Sequence, residues 1–339
     1  MLQDGFEVSP LAAYGNDEIV TGRMKRRPHD PNDTLTYELW NPATGETKLA
    51  WRGVPQRQDD VQDVYGDWLL TVRYGLSLPF ENWQLILRNL KTDQQLQVAQ
   101  SDPNVVRIPG LAVRLPNGFA PTASMSGPLV VWPEFVLNPD GDPVKRIQLY
   151  NIDDGTTRTL ASVDARVEDL WQTSIAGASV AWAHRSTPDG SQELVVLDLR
   201  TQVTETYRVG GEIYQCALSR DGRYLAWDDS YTAKYAIDLH TGERVQYASD
   251  EGWGTFRSGH YVSWQPRQPG GPGGFYDFAN KEIRLLPVFS ESSDKIVVNL
   301  ATVMGDWFVW QELHRTIDPN KLGPPDISGS YYYFVKLRP

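Results

Sequence analysis

At 339 residues, 40% hydrophobic and 22% charged, with 12 Trp and 16 Tyr, the chain has the composition of a globular protein with a large aromatic core. A formal net charge of -11 weighs against a nucleic-acid or anionic-membrane partner, because phosphate binding runs on clustered Lys and Arg. Cys216 is the single cysteine, which excludes an internal disulfide, and no segment is apolar enough to span a membrane.

The start, MLQDGFEVSP, has neither a basic nor an apolar leader region and is expected to carry no secretory signal. The basic run Arg23 to Arg27 (RMKRR) reads as a solvated loop edge ahead of an anion site. From there the chain repeats itself. A Gly closes a first strand and turn, and five residues later a second strand delivers Trp or Thr: Gly66…Thr71, Gly127…Trp132, Gly177…Trp182, Gly222…Trp227, Gly259…Trp264 and Gly305…Trp310. The first copy, Gly15 to Thr21, needs one extra residue. Alternation after the Gly puts Leu129 and Val131 on one strand face and Val130 and Trp132 on the other, as a strand buried between neighbouring sheets requires.

A second anchor follows in the same order. The third strand ends in Asp or Asn before a turn, at Asn41, Asn89, Asn151, Asp198, Asp238 and Asp277. An Asx side chain bonds backbone N–H groups two residues on, so these residues are expected to cap turns and not to act as acids. Short strands, hairpin turns and a period of about 48 residues predict an all-β fold, a seven-bladed β-propeller of four-stranded antiparallel blades. It is read as one domain over 1–339, with blades near 6–52, 59–99, 118–161, 168–209, 212–248, 252–288 and 296–339. Tyr331–Leu337 reads as the third strand of the last blade, and residues near Leu2–Val8 are expected to supply its outer strand. A three-stranded last blade is the alternative.

The clearest copy spans 216–247. Within it, Leu218-Ser219-Arg220-Asp221-Gly222-Arg223-Tyr224-Leu225-Ala226-Trp227 and Asp238-Leu239-His240-Thr241-Gly242-Glu243 resemble the repeat core and the "D-L-x-T-G" turn of TolB-like propellers. The other copies keep Gly and Trp but lose Ser and Asp, and the Gly-His and Trp-Asp pairs of WD repeats do not recur. The resemblance implies a propeller of periplasmic, secreted or cell-surface bacterial proteins, with cytoplasm as the alternative. Such propellers serve as protein-interaction surfaces, as peptidase gates or as lyase bodies, and the repeat motif itself brings no catalytic residue.

Chemistry is expected on the connections between second and third strands, which all emerge on one face. They are 26–34, 75–82, 135–144, 184–192, 228–233, 265–274 and 313–330. In or beside them fall His29, His184, Arg185, Arg267, His314 and Arg315, with Asp30, Asp33, Asp140, Asp142, Asp189 and Asp318. One reading is a polar ligand face; the other is a set of ordinary Asp-Gly and Asp-Pro turns. No cofactor is expected, with calcium or another structural metal as the alternative, since Asp140-Gly141-Asp142 lacks the later glutamate of a calcium loop. Asp228-Asp229 reads as a solvated turn ahead of a catalytic carboxylate pair. The off-register Trp68, Trp83, Trp171 and Trp253 would stack on a sugar or anchor a protein if exposed.

With no G-x-S-x-G elbow and no H-E-x-x-H, the sequence points to a non-enzymatic binding scaffold for a protein or glycan. The alternative is a carbohydrate-active propeller enzyme, a polysaccharide lyase or glycosidase using His184, His314 and arginines. Oligomeric state is not readable.

Overall fold

A computed structural model describes residues 2–3, 6–15, 18–25, 35–75, 82–104, 121–186, 192–209, 211–229, 233–249, 256–258, 261–264, 274–285, 296–304, 307–316 and 326–336. All regular structure among them is strand. The first sheet orders β1 (Leu2–Gln3), β2 (Phe6–Tyr14), β3 (Glu18–Lys25), β4 (Thr36–Trp40) and β5 (Thr47–Arg52). The second holds β6 (Arg57–Tyr65), β7 (Trp68–Gly75), β8 (Gln84–Asn89) and β9 (Gln95–Gln100). The third holds β10 (Ser124–Ser126), β11 (Leu129–Leu137), β12 (Pro143–Asn151) and β13 (Thr157–Asp164). The fourth holds β14 (Asp169–Ala176), β15 (Ser179–Arg185), β16 (Gln192–Asp198) and β17 (Thr204–Arg208). The fifth holds β18 (Ile213–Leu218), β19 (Tyr224–Asp229), β20 (Ala233–Asp238) and β21 (Arg244–Ser249). The sixth holds β22 (Phe256–Ser258), β23 (Tyr261–Trp264), β24 (Gly274–Asp277) and β25 (Glu282–Leu285). The last holds β26 (Ile296–Met304), β27 (Trp307–Thr316) and β28 (Asp326–Lys336).

Every pairing is between sequence neighbours and antiparallel, and first strands of successive sheets touch one another, so they ring the axis of a β-propeller. The expected seven four-stranded blades are corrected to six. Six sheets have four or more strands, whereas the last has three among the described residues. The reason is local pairing. Residues assigned to the outer edge of the last sheet instead form a hairpin in the first, with Gln3 opposite Phe6 and Val8 opposite Arg23. The last sheet meets the first through side chains, the Tyr332 hydroxyl 3.3 Å from the Ser9 hydroxyl and Phe334 edge-on to Trp40 with ring centroids 5.0 Å apart.

Apolar clusters lie between adjacent sheets. The anchor Trp132, Trp182, Trp227 and Trp264 are buried in them, each filling the gap to a neighbouring blade with a large ring. Hairpin ends are set by side chains. Asn41, Asn89, Asn151, Asp198, Asp238 and Asp277 each accept a backbone N–H two residues on. Gly222, at φ +74°, turns the β18–β19 hairpin, and a Cβ there would sit 3.2 Å from the Ala176 carbonyl oxygen of the preceding blade. The first strands are also latched to each other. The Asp63 carboxylate accepts the Met125 N–H at 2.9 Å, Ser124 Oγ accepts the Ile175 N–H at 3.2 Å, and Ser174 Oγ accepts the Leu218 N–H at 2.9 Å. No helix among the described residues is long and apolar enough to cross a membrane.

Candidate ligand-binding face

Second strands end where first strands begin, since Asp169 pairs with Arg185 and Arg57 with Gly75. The second-to-third connections and the links between blades therefore share one face. On it, the end of β15 gathers the polar network that the sequence only half announced. Asp169, buried at the start of β14, accepts from Arg185 Nη2 at 3.1 Å and from Lys145 Nζ on β12 of the preceding blade. Arg185 also lies over the Trp171 ring, 5.9 Å from its centroid, and Trp171 Nε1 donates to the Ile213 carbonyl of the following blade at 2.9 Å. Three blades are thereby tied along one strip.

His184 lies beside this strip on the other face of β15. Its Nε2 is 2.8 Å from Glu168 Oε2 and its Nδ1 is 3.9 Å from Glu193 Oε2, while Arg208 Nε approaches Glu193 at 3.6 Å. A carboxylate can only accept, so Nε2 carries the proton donated to Glu168. Both ring nitrogens thus face carboxylates of this chain. Lys145, Arg185 and Arg208 balance Asp169, Glu168 and Glu193, leaving a mixed-charge surface.

The other expected positions are distributed differently. His29, Arg267, Asp30, Asp33, Asp189, Asp318 and Trp253 lie outside the described residues. His314 and Arg315, expected in a loop, are strand residues of β27, paired with Gly329 and Ile327; their side chains lie outside what is described. Asp142 pairs with Arg166 at 3.1 Å beside a turn built on Asn138, whose Oδ1 accepts the Asp140 and Asp142 N–H groups. Asp228 is not a solvated turn residue. It is buried and paired with Lys234 at 2.8 Å, because β19 extends through Asp229. Trp83 is buried, while Trp68 and Trp171 are half-buried. Cys216 is buried against the Gln172 carbonyl, and burial pushes its thiol up to about 12, which keeps it from acting as a nucleophile. Among the described residues, no group of three or more His, Cys, Asp or Glu could hold a metal ion.

Sequence reasoning missed Asp169, Glu168 and Lys145. The first two were within reach, since pairing β14 with β15 through the Gly177 hairpin sets Asp169 opposite Arg185 and Glu168 one residue before it. Lys145 comes from another blade, and nothing local marks it.

No family model matches the chain, and no curated protein matches it. Solved structures do. A prolyl endopeptidase structure, from work on inter-domain dynamics in catalysis and specificity, matches at TM-score 0.62 and 8% identity over 97% of this chain and 50% of its own. The chain thus spans half the length of that endopeptidase. The β-propeller domain of the Trilobed protease from Pyrococcus furiosus, described as having an open velcro topology, matches at TM-score 0.51 and 10% identity over 82% of this chain and 81% of its own. TolB from Acinetobacter baumannii matches at TM-score 0.44 and 13% identity, over 91% and 77%. At these identities the likeness is one of fold, and the fold it shows is the β-propeller.

Proposed function

We propose that the chain is a non-enzymatic binding propeller that takes a protein or glycan on the face holding the ends of its second strands. The observation that carries this reading is the strip Lys145–Asp169–Arg185–Trp171, two cations on one buried carboxylate beside a half-buried Trp, held in place before any partner arrives. A pre-ordered Arg beside an aromatic ring, within a polar surround, is the anatomy of an interaction hot spot. His184 supports the same reading, because both of its nitrogens already face Glu168 and Glu193, and an acid–base role needs one of them turned to a substrate.

The test compares the wild type with a His184→Ala/Arg185→Ala variant on a glycan array and in affinity capture from the native cell extract. Asp169 keeps Lys145 in the variant, so the fold is retained and the melting temperature should hold. A species retained by the wild type and lost about tenfold by the variant, roughly 1.4 kcal/mol, supports the reading. Equal retention overturns it. Turnover of uronate-containing oligosaccharides that disappears in the same variant would put the lyase or glycosidase reading in its place.

A further inference from the structure

Five of the first strands break register near their middles, within a residue or two of the same level. The ladder skips Leu11 in β2, Gln62 in β6, Gln172 in β14, Tyr214–Gln215 in β18 and Asn299 in β26. A bulge removes a residue from the ladder and re-aims its side chain. The latches between first strands set the heights of these residues against one another. Gln62 lies one residue before the latch residue Asp63, and Thr122 and Gln172 lie two before Ser124 and Ser174. Gln215 lies two before Ala217, which occupies the same register position. Three consecutive blades therefore place an uncharged hydrogen-bonding side chain at one level, and Gln62 of the blade before them stands one residue away.

These side chains reach water. Asp60 and Thr122 are exposed and Gln62, Gln172 and Gln215 half-exposed, although they belong to the innermost strands or, for Thr122, to the residues leading into β10. Outward of them the second strands are buried at Thr71, Val131, Ala183 and Trp227. The neighbouring blades close the sides. Asp60 stands just below the ring, bound by Gln62 Nε2 at 2.9 Å, while Gln62 Oε1 accepts the Ala123 N–H of the next blade at 3.3 Å. Gln172 adopts φ 50°, a left-handed conformation that costs a non-glycine residue backbone strain.

We propose that this axial ring, Gln62, Thr122, Gln172 and Gln215 with Asp60, is a binding site for a small uncharged polyhydroxylated ligand such as one sugar unit. Amides and hydroxyls both donate and accept, which matches sugar hydroxyls that do the same. A carboxylate takes two neighbouring hydroxyls at once. Asp60 keeps water contact, yet the protein packed around it disfavours its charge and pushes its carboxyl up to about 6, and among the described residues no cation offsets this. Four neutral partners and one reluctant carboxylate suit a neutral ligand better than an ionic one. The site is separate from the Arg185 strip and does not depend on that strip binding anything.

Ligand-observed NMR and calorimetry with glucose, galactose, mannose and N-acetylglucosamine test the proposal, with spermidine and calcium chloride as ionic probes. Two variants preserve the backbone: Gln172→Gly, which suits the left-handed conformation, and Thr122→Val, which keeps the shape. The expected result is saturable binding of at least one sugar, weakened tenfold or more in Gln172→Gly and severalfold in Thr122→Val, with melting temperatures unchanged. Failure of all four sugars to bind overturns the proposal. So does sugar binding indifferent to both axial variants, or binding of spermidine or calcium alone that Asp60→Asn abolishes.

Discussion

Replacing Asp59 by Ala should be among the costliest single changes in this propeller. Asp59 is buried at the seam between the first two blades. Its carboxylate accepts Arg73 Nε at 2.5 Å and Nη2 at 2.9 Å, and Trp51 Nε1 at 3.1 Å. Its backbone exchanges bonds with the Tyr37 hydroxyl at 2.7 and 3.0 Å, and Tyr37 stacks on Trp51 with centroids 4.1 Å apart. The hydrogen bonds from Arg73 to Asp59 raise the guanidinium above its ordinary value, while burial and the Asp59 charge push the Tyr37 phenol up. Asp59→Ala leaves a nearly buried guanidinium without its counter-ion, a loss of roughly 3–5 kcal/mol. At about 2.1 cal/mol/K per residue, the unfolding entropy of 339 residues is roughly 0.7 kcal/mol/K, so a 4 kcal/mol loss lowers the melting temperature by about 6 °C. Arg73→Met alone strands the carboxylate instead. The double variant removes both charges and should recover most of the loss, because an apolar pair of similar volume costs little in a dry site. Calorimetry and urea titration of all four proteins give the coupling. A single-variant shift below about 1 °C, or a double variant equal to the sum of the singles, would refute the argument.

Two other expectations concern the axis. Ser174→Ala removes the hydroxyl that accepts the Leu218 N–H in a buried setting, so the orphaned amide should cost about 1–3 kcal/mol. Hydrogen exchange at Leu218 should accelerate before exchange in the outer strands does, and uniform exchange would count against a latch. Asp60 makes stability fall as pH rises. Its folded value is about 6 against 3.8, so the folded state holds the extra proton between those values and the full penalty appears above about 6. Gln62 and the phenols of Tyr74, pushed up to about 12, and Tyr37 surround it, and none of them titrates in that window. A two-unit shift corresponds to about 3 kcal/mol at a sealed site, and water contact reduces this to roughly 1 kcal/mol. Asp60→Asn should therefore gain on the wild type between pH 4 and 6.5 in urea titrations and no further above it; a pH-independent difference would remove Asp60 from the account.

The blade repeat was legible because its determinants are local. Gly222 needs its positive φ whatever surrounds it, and Asp238 caps its turn through an N–H only two residues away, so both act at hairpin range. Trp182 and Trp227 announce buried strands by alternation alone. The strip at β15 was half legible, since Arg185 and His184 could be placed on the right face but Lys145 comes from another blade. The outer edge of the last sheet was misread for a related reason. Leu2–Val8 is extended and pairable, and whether it joins β28 or turns back onto β3 depends on geometry around the whole ring, which no sequence window holds. Asp228 was misjudged because its partner Lys234 stands across the connection from β19 to β20, where a strand longer by two residues converts a solvent turn into a buried pair.

The least legible feature is the axial ring, and the reason is physical. Gln62, Gln172 and Gln215 sit where the ladder skips a residue, so the alternation that identifies every other position points the wrong way there. The bulges arise because first strands must splay around an axis while their neighbours stay in flat contact, a demand that exists only once the blades close on each other. Gln172 stays left-handed because the Thr173 hydroxyl bonds the Thr122 carbonyl on one side and the Cys216 thiol bonds the Gln172 carbonyl on the other. Each of those partners belongs to a different blade. A strained residue held from both neighbouring blades is set by the ring as a whole, which is why a change at Gln172 tests a site and a change at Asp59 tests the fold.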